Sequence, residues 1–320
     1  MRSRTLAMLV AGLAFPATLS AQTPGIDYHQ HLFSPVAAAM VTGDSRSPGI
    51  SARDVVALLD DAGVRRALVL SVAYTWGKAS RTPVENEYEH VKAENDWTAQ
   101  QVAQYPDRLR AFCSVNPLKP YALDEVARCN RDPRLQRGLK LHFGNSDVDL
   151  DNPENVAQVR KVLAAANGYG MAIVVHLRTS IDNQRRYGAD QARVFLNELL
   201  PAVPDVPVQI AHLAGAGGYE PEVDAALGIL IDAIGHQDRR MKNLWFDVTG
   251  VAEVAAPPAQ LGQIASRIRQ IGVERVLYGS DAAASPATFP KAGWAAFSRL
   301  PLTAAEFAAI AGNIAPYMRD

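Results

Sequence analysis

The chain has 320 residues, with 32 basic and 33 acidic side chains and a net charge of -1. That balance excludes the electrostatic footprint of a nucleic-acid or anionic-membrane binder. With 48% hydrophobic residues, the chain can bury a large core unaided, so a metal would serve chemistry rather than folding.

Residues 1–21 read as a secretory signal peptide. Arg2 and Arg4 make the positive start, Leu6 to Phe15 the apolar stretch, and Leu19-Ser20-Ala21 the small-residue cleavage site. A membrane-spanning helix needs about 20 apolar residues, and Pro16 stops this run at roughly half of that. Cleavage after Ala21 leaves Gln22 rather than Cys at the new terminus, which argues against a lipid anchor. The expectation is a periplasmic or secreted domain over 22–320 with no membrane attachment after cleavage.

Downstream, short apolar runs alternate with longer amphipathic ones. Strands are expected at Gly25–Leu32, Arg66–Ala73, Leu109–Val115, Gly138–His142, Ala172–Leu177, Val206–His212, Leu244–Val248 and Val276–Asp281. Helices are expected at Ala52–Ala62, Glu87–Gln104, Ala122–Asn130, Pro153–Ala166, Ala189–Leu199, Glu222–Ile234 and Ala259–Gln270. Val55, Val56, Leu58 and Leu59 illustrate the helical spacing. Thr303 with Glu306 forms a capping-box pattern that opens a last helix to Gly312. Eight strand–helix alternations in one undivided stretch predict a single-domain α/β fold, a (β/α)₈ TIM barrel. A Rossmann-type sheet is the rival, but the glycines of Ala214-Gly215-Ala216-Gly217-Gly218 follow the sixth strand, not the first, and lack the fingerprint spacing. Cys113 and Cys129 fall on adjacent elements, so a bridge between them is geometrically open. Burial as two thiols is the commoner fate and the expectation.

Barrel active sites form at the C-terminal strand ends, and polar residues gather there. His29-Gln30-His31 places two imidazoles on one strand face, half of a transition-metal site, although a chance surface pair reads the same locally. Lys140 and His142 follow on the fourth strand, His176 and then Arg178 on the fifth, His212 on the sixth and Asp281 on the eighth. Three His and one Asp with room for water make a catalytic rather than structural metal pattern.

Taken in order, Asp27-Tyr28-His29-Gln30-His31, Asn95-Asp96-Trp97 through Arg108, Ser114-Val115-Asn116-Pro117, Gly138-Leu139-Lys140-Leu141-His142, Ala211-His212-Leu213-Ala214-Gly215 and Tyr278-Gly279-Ser280-Asp281 resemble the amidohydrolase superfamily, in particular its amidohydrolase-related (amidohydrolase 2) branch. The resemblance covers nearly the whole mature chain. It implies a divalent metal, Zn2+ first, one ion or two, held by His29, His31, His176 and Asp281. It also implies that His212 is either a second-metal ligand or a catalytic group. A cation of this kind acidifies water and polarises a carbonyl. Asp281 would then take the proton, and His212 would stabilise the oxyanion or protonate the leaving group. Lys140 is open between bridging two metals after carboxylation, binding a substrate carboxylate, and a structural ion pair. His142 is open between substrate contact and packing, Arg178 between a carboxylate clamp and a loop salt bridge, and Trp76 between a pocket wall and packing onto the barrel. Asp247 reads as a partner of a ligand; His90 and His236 read as surface residues.

The leading functional reading is a metal-dependent hydrolase of an amide, lactone or ester in a small molecule. The alternative is a non-oxidative decarboxylase or hydratase of a small carboxylated ring or dienoate. A non-catalytic metal- or ligand-capturing protein is the third reading, and His212 beside Asp281 weighs against it. The expected partner is a small-molecule substrate; a homo-oligomer is compatible with the sequence.

Overall fold

A computed structural model describes residues 22–78, 81–179, 185–282 and 288–319; the expected signal peptide lies outside the described residues. Eight strands, β1 (Ile26–Gln30), β2 (Arg66–Leu70), β3 (Leu109–Ser114), β4 (Gly138–His142), β5 (Ala172–His176), β6 (Val208–Ile210), β7 (Leu244–Asp247) and β8 (Val276–Leu277), pair in parallel in chain order. The seam between first and last is drawn together by Tyr28 N–H to the Tyr278 carbonyl and Asp281 N–H to the His29 carbonyl, both 2.8 Å. The result is the expected (β/α)₈ barrel.

Helices α1 (Pro35–Thr42) and α2 (Ala52–Ala62) follow β1, and α3 (Glu87–Val102), α4 (Ala122–Arg131), α5 (Pro153–Gly168), α6 (Ala189–Val194), α7 (Pro221–Gly235) and α8 (Pro258–Ile271) connect the later strands. After β8 come α9 (Pro290–Phe297) and α10 (Ala304–Gly312). Ser51 with Asp54, and Thr303 with Glu306, form the reciprocal capping boxes of α2 and α10. Helix α2 buries Val55, Val56 and Leu59 and leaves Leu58 at the margin, as its spacing requires.

Two helices, α1 and α9, lay outside the sequence expectations. The α1 segment Pro-Val-Ala-Ala-Ala-Met-Val-Thr is apolar all round and shows no periodicity to read. Its start is instead built by tertiary contacts: Ser34 Oγ accepts from Ala37 N at 3.1 Å, and the buried Glu94 of α3 accepts from Ser34 N at 3.0 Å and Ser34 Oγ at 2.5 Å. The expected strands are also trimmed. β6 stops at Ile210, beyond which the chain turns left-handed over the barrel mouth, with φ +55° at His212, +47° at Leu213 and +69° at Ala214; β8 stops at Leu277, and Asp281 four residues on is left-handed too, at φ +63°.

Below that mouth the barrel is filled by Ile26, Leu68, Phe112, Val174 and Leu277, and Tyr317 and Met318 of the C-terminal segment close it at the N-terminal end. Gly138 is required here, since a Cβ would lie 2.3 Å from the Phe112 ring. Outside the barrel, Cys113 of β3 and Cys129 of α4 form a disulfide across a Cα–Cα distance of 6.2 Å. The expectation of two buried thiols is thereby corrected: α4 folds back onto β3 and brings its last turn against the strand. Closing a loop of 16 residues in this way contributes about 3 kcal/mol in the chain-entropy model.

Candidate metal centre and active site

At the C-terminal end of the barrel the residues singled out from sequence come together, and the reason is local. β1 slips its register by one between Asp27 and Gln30, a bulge that lets Tyr28 pack into the lower core while His29 and His31 reach the mouth. Gly279 permits the approach of β8, since a Cβ there would lie 2.8 Å from His29 Cβ and 2.2 Å from Thr249 Oγ1. Ligand atoms of His29, His31 and Asp281 all fall within 4.8 Å of one another. Asp281 Oδ1 stands 3.3 Å from His31 Nε2 and 4.0 Å from His29 Nε2. Donors bound tetrahedrally to one ion at about 2.0–2.2 Å stand roughly 3.4 Å apart, so these three fit a shared divalent cation.

The rings are oriented for that task. His31 donates Nδ1–H to the Leu70 carbonyl at 2.7 Å and His212 donates Nδ1–H to the Thr249 carbonyl at 2.9 Å. His29 Nδ1 lies 3.2 Å from Asp247 Oδ2. A carbonyl or carboxylate can only accept, so each Nδ1 carries the proton and each Nε2 keeps its lone pair. His142 is the opposite case. Its Nδ1 accepts from Asn145 N at 3.1 Å, which leaves Nε2–H as a donor, the form suited to contacting substrate.

His176 pairs in register with His142 on the neighbouring strand and stacks on it at 3.8 Å, and its ring centre is 5.1 Å from that of His212. It stands outside the three-residue cluster, although the buried His176 Nδ1 has no hydrogen-bond partner. An orphaned buried imidazole nitrogen beside the lone pairs of His29, His31 and His212 fits a cation site.

Burial drives the protonation states. It pushes His29 down to about 3, with the Lys140 charge adding to it, and takes His142 and His176 well below the usual histidine range. Burial alone would raise the Asp281 carboxyl, but the His31 hydrogen bond and the neighbouring imidazoles hold it well below the usual carboxylate range. Asp247 is likewise held low, since its interaction and hydrogen bond with His29 outweigh its burial. Neutral imidazoles with ionised carboxylates are the protonation state a divalent ion requires. Lys140, fully buried with Nζ 3.4 Å from His29 Nε2, is brought down to about 8 by burial, with Asp247 and Asp281 opposing.

Two candidates have partners within the fold. Arg178 is ion-paired to Glu220 at 2.6 Å, the salt bridge that was one of its two alternatives. Trp76 is 5% exposed and stacks on His90 at 4.4 Å, so it packs rather than walls a pocket, and His90 is half-buried rather than a surface residue. His236 is exposed as expected.

Three participants were missed. Tyr74 packs its ring 5.0 Å from His142, and burial with the Asp281 charge keeps its hydroxyl protonated. Thr249 anchors His212. Gln209 donates to Asp247 Oδ2 at 2.6 Å; a lone glutamine inside the strand Val208-Gln209-Ile210 was the available signal. A cavity of about 950 Å³ lies at the other end of the barrel beside Arg65, Arg66, Arg108 and Arg110. Arg108 is already bonded to Asp60 and to the Val64 and Arg65 carbonyls there, and the N-terminal end of such barrels serves stability. The chemistry belongs to the histidine end.

A parallel barrel that gathers His, His and Asp at its strand ends, beside a further free imidazole, defines a metal-dependent TIM-barrel enzyme. The chain belongs to the amidohydrolase family of the Amidohydro_2 type, whose family model matches residues 26–315. Among solved structures, 5-carboxyvanillate decarboxylase from Sphingomonas paucimobilis is similar at 17% identity and TM-score 0.62, covering 91% of this chain and 97% of that one. A probable 2-pyrone-4,6-dicarboxylic acid hydrolase from Acinetobacter baumannii is similar at 16% and TM-score 0.61, covering 90% and 96%. An amidohydrolase from Burkholderia multivorans with bound zinc is similar at 14% and TM-score 0.57, also covering 90% and 96%. No curated protein matches the chain.

Proposed function

We propose that this enzyme is a metal-dependent hydrolase that opens an amide, lactone or ester bond of a small molecule. The observation that carries the reading is the convergence of the Nε2 lone pairs of His29 and His31 with the Asp281 carboxylate, beside a His212 ring whose Nε2 is uncommitted. A divalent ion held by His29, His31 and Asp281, zinc by preference, would acidify water and polarise a carbonyl. Asp281, with a third of its side chain open, is placed to accept a proton from that water. His212 Nε2, the ring nitrogen left with a lone pair, would take up that proton and deliver it to the leaving group. Within reach of the same mouth, His142 Nε2–H and the neutral Tyr74 hydroxyl offer two donors for orienting substrate.

A decarboxylase needs a group to grip the substrate carboxylate, and the pairing of Arg178, the clamp candidate, with Glu220 weighs toward hydrolysis. A panel of lactones, chromogenic esters and anilides, with carboxylated phenols alongside, tests the choice. Chelator-sensitive hydrolysis is expected. CO2 release from the phenols without hydrolysis of the panel would replace it with the lyase.

We also propose export with loss of residues 1–21. The Cys113–Cys129 bridge supports this, since disulfides persist outside the cytosol. Mass spectrometry of a periplasmic fraction should find a chain starting at Gln22, and an intact Met1 there would reject it.

A further inference from the structure

The C-terminal segment does more than plug the barrel. Tyr317, wholly interior, lies edge-on to Tyr28 at 6.1 Å and to Phe112 at 5.2 Å, and its hydroxyl donates to Gln209 Oε1. Gln209 Nε2 then donates to Asp247 Oδ2 at 2.6 Å, with the Tyr28 carbonyl at 3.4 Å. The amide can be oriented only this way, because the reverse would set its oxygen against a carboxylate and a carbonyl and waste the tyrosine proton. Asp247 distributes the constraint: Oδ2 meets the His29 ring at 3.2 Å, while Oδ1 accepts from His212 N at 2.8 Å and Thr249 N at 3.2 Å.

One carboxylate therefore orients a metal-ligand ring and holds the backbone of the left-handed turn that presents His212. We propose that Tyr317 and Gln209 are positioning residues for the metal centre, a hydrogen-bonded rod from the barrel floor that fixes Asp247 and, through it, His29 and His212. The segment is itself tethered. Asn313 donates to the carbonyls of Val273 and Val276 at 2.7 Å, Ala315 N donates to the Tyr28 hydroxyl at 2.9 Å, and Arg110 grips the Tyr317 and Arg319 carbonyls at 3.2 and 2.7 Å. The last residues of the chain thus reach the chemistry from the opposite end of the barrel. Without its hydroxyl, residue 317 would no longer select the Gln209 orientation, and the carboxylate would gain freedom to rotate.

The proposal rests on the metal-centred reading, and its test separates the two. In the metal-free full chain, long-range 1H–15N spectra should show His29 protonated at Nδ1 with a slowly exchanging proton. Tyr317→Phe and Gln209→Met should each speed that exchange and disturb the His212 signals while melting and far-UV circular dichroism stay close to wild type. Zinc affinity, read by competition with a chromophoric chelator, should fall about tenfold for Gln209→Met, the scale of lost orienting partners. The double variant should bind no worse than Gln209→Met alone, because Tyr317 acts through Gln209. If Gln209→Met does not fold, Tyr317→Phe, which deletes one hydroxyl, decides. Unchanged imidazole signals in Tyr317→Phe, or additive losses in the double variant, would overturn the proposal. A wild-type chain that binds no zinc would sink the metal reading while the exchange measurement still judges the rod.

Discussion

Replacing His29 and His31 together by alanine should strip the protein of its divalent metal while leaving the barrel folded. Among the three clustered donors this removes both nitrogens and leaves only the Asp281 carboxylate, itself partly open to solvent. A single carboxylate does not hold a first-row transition ion against water, because the affinity of such sites comes from several oriented donors acting together. The fold should survive. Asp247 keeps Gln209 and two backbone amides as partners, and the lower barrel core contains neither histidine. The cost is local: the Leu70 carbonyl loses its imidazole partner, at about 1–3 kcal/mol for a buried acceptor left unmade. Elemental analysis of protein purified without chelator, with circular dichroism on the same samples, reads the outcome. Equal metal content in wild type and double variant would remove the basis for the site.

His212→Asn should keep the fold and most of the metal and lose at least about two orders of magnitude in turnover, the scale of a general acid–base group. The choice of asparagine matters. Residue 212 sits at φ +55°, a conformation asparagine tolerates better than alanine or any branched side chain. The backbone bond from residue 212 to Asp247 then stays in place, and a rate loss reports the missing imidazole rather than a collapsed turn. The tautomer sharpens the expectation: with Nδ1–H tied to Thr249, only Nε2 can exchange protons with substrate. Steady-state kinetics on any substrate from the hydrolase panel decides. Loss of metal together with turnover would make His212 a ligand of a second ion. Turnover close to wild type would make it a packed core histidine.

Strain gives a second reason to place chemistry at these two strand ends. Of seven described non-glycine residues with positive φ, His212, Leu213, Ala214 and Asp281 lie at these two strand ends, the first three consecutive, while Asn86, Asp147 and Gln237 lie elsewhere. Each costs of order 1–3 kcal/mol, and such residues persist where surrounding contacts over-determine them. Here the contacts are visible: Asp247 and Thr249 hold His212, and the His29 carbonyl holds Asp281 N at 2.8 Å.

By itself the sequence determined the barrel, because strand and helix periods alternate and both burial patterns are local. It also determined the roster of strand-end groups, since His29, His31, Lys140, His142, His176, His212 and Asp281 are polar residues closing apolar runs. Burial, pairing and direction were decided only by tertiary structure. The bulge in β1 depends on the neighbouring strand, and no spacing rule within Asp27-Tyr28-His29 reveals that both Tyr28 and His29 turn inward. The left-handed exit of β6 reorients His212 in a way strand alternation does not foresee. Arg178 found Glu220, and Trp76 found His90, across loops whose geometry no local pattern encodes. The same holds for Cys113 and Cys129, whose pairing needed α4 laid against β3. Alternation and helical period are set by a residue's near neighbours along the chain, whereas the orientation of a metal-binding ring is set by partners such as Asp247, 218 residues away, which only the closed barrel brings within hydrogen-bond reach.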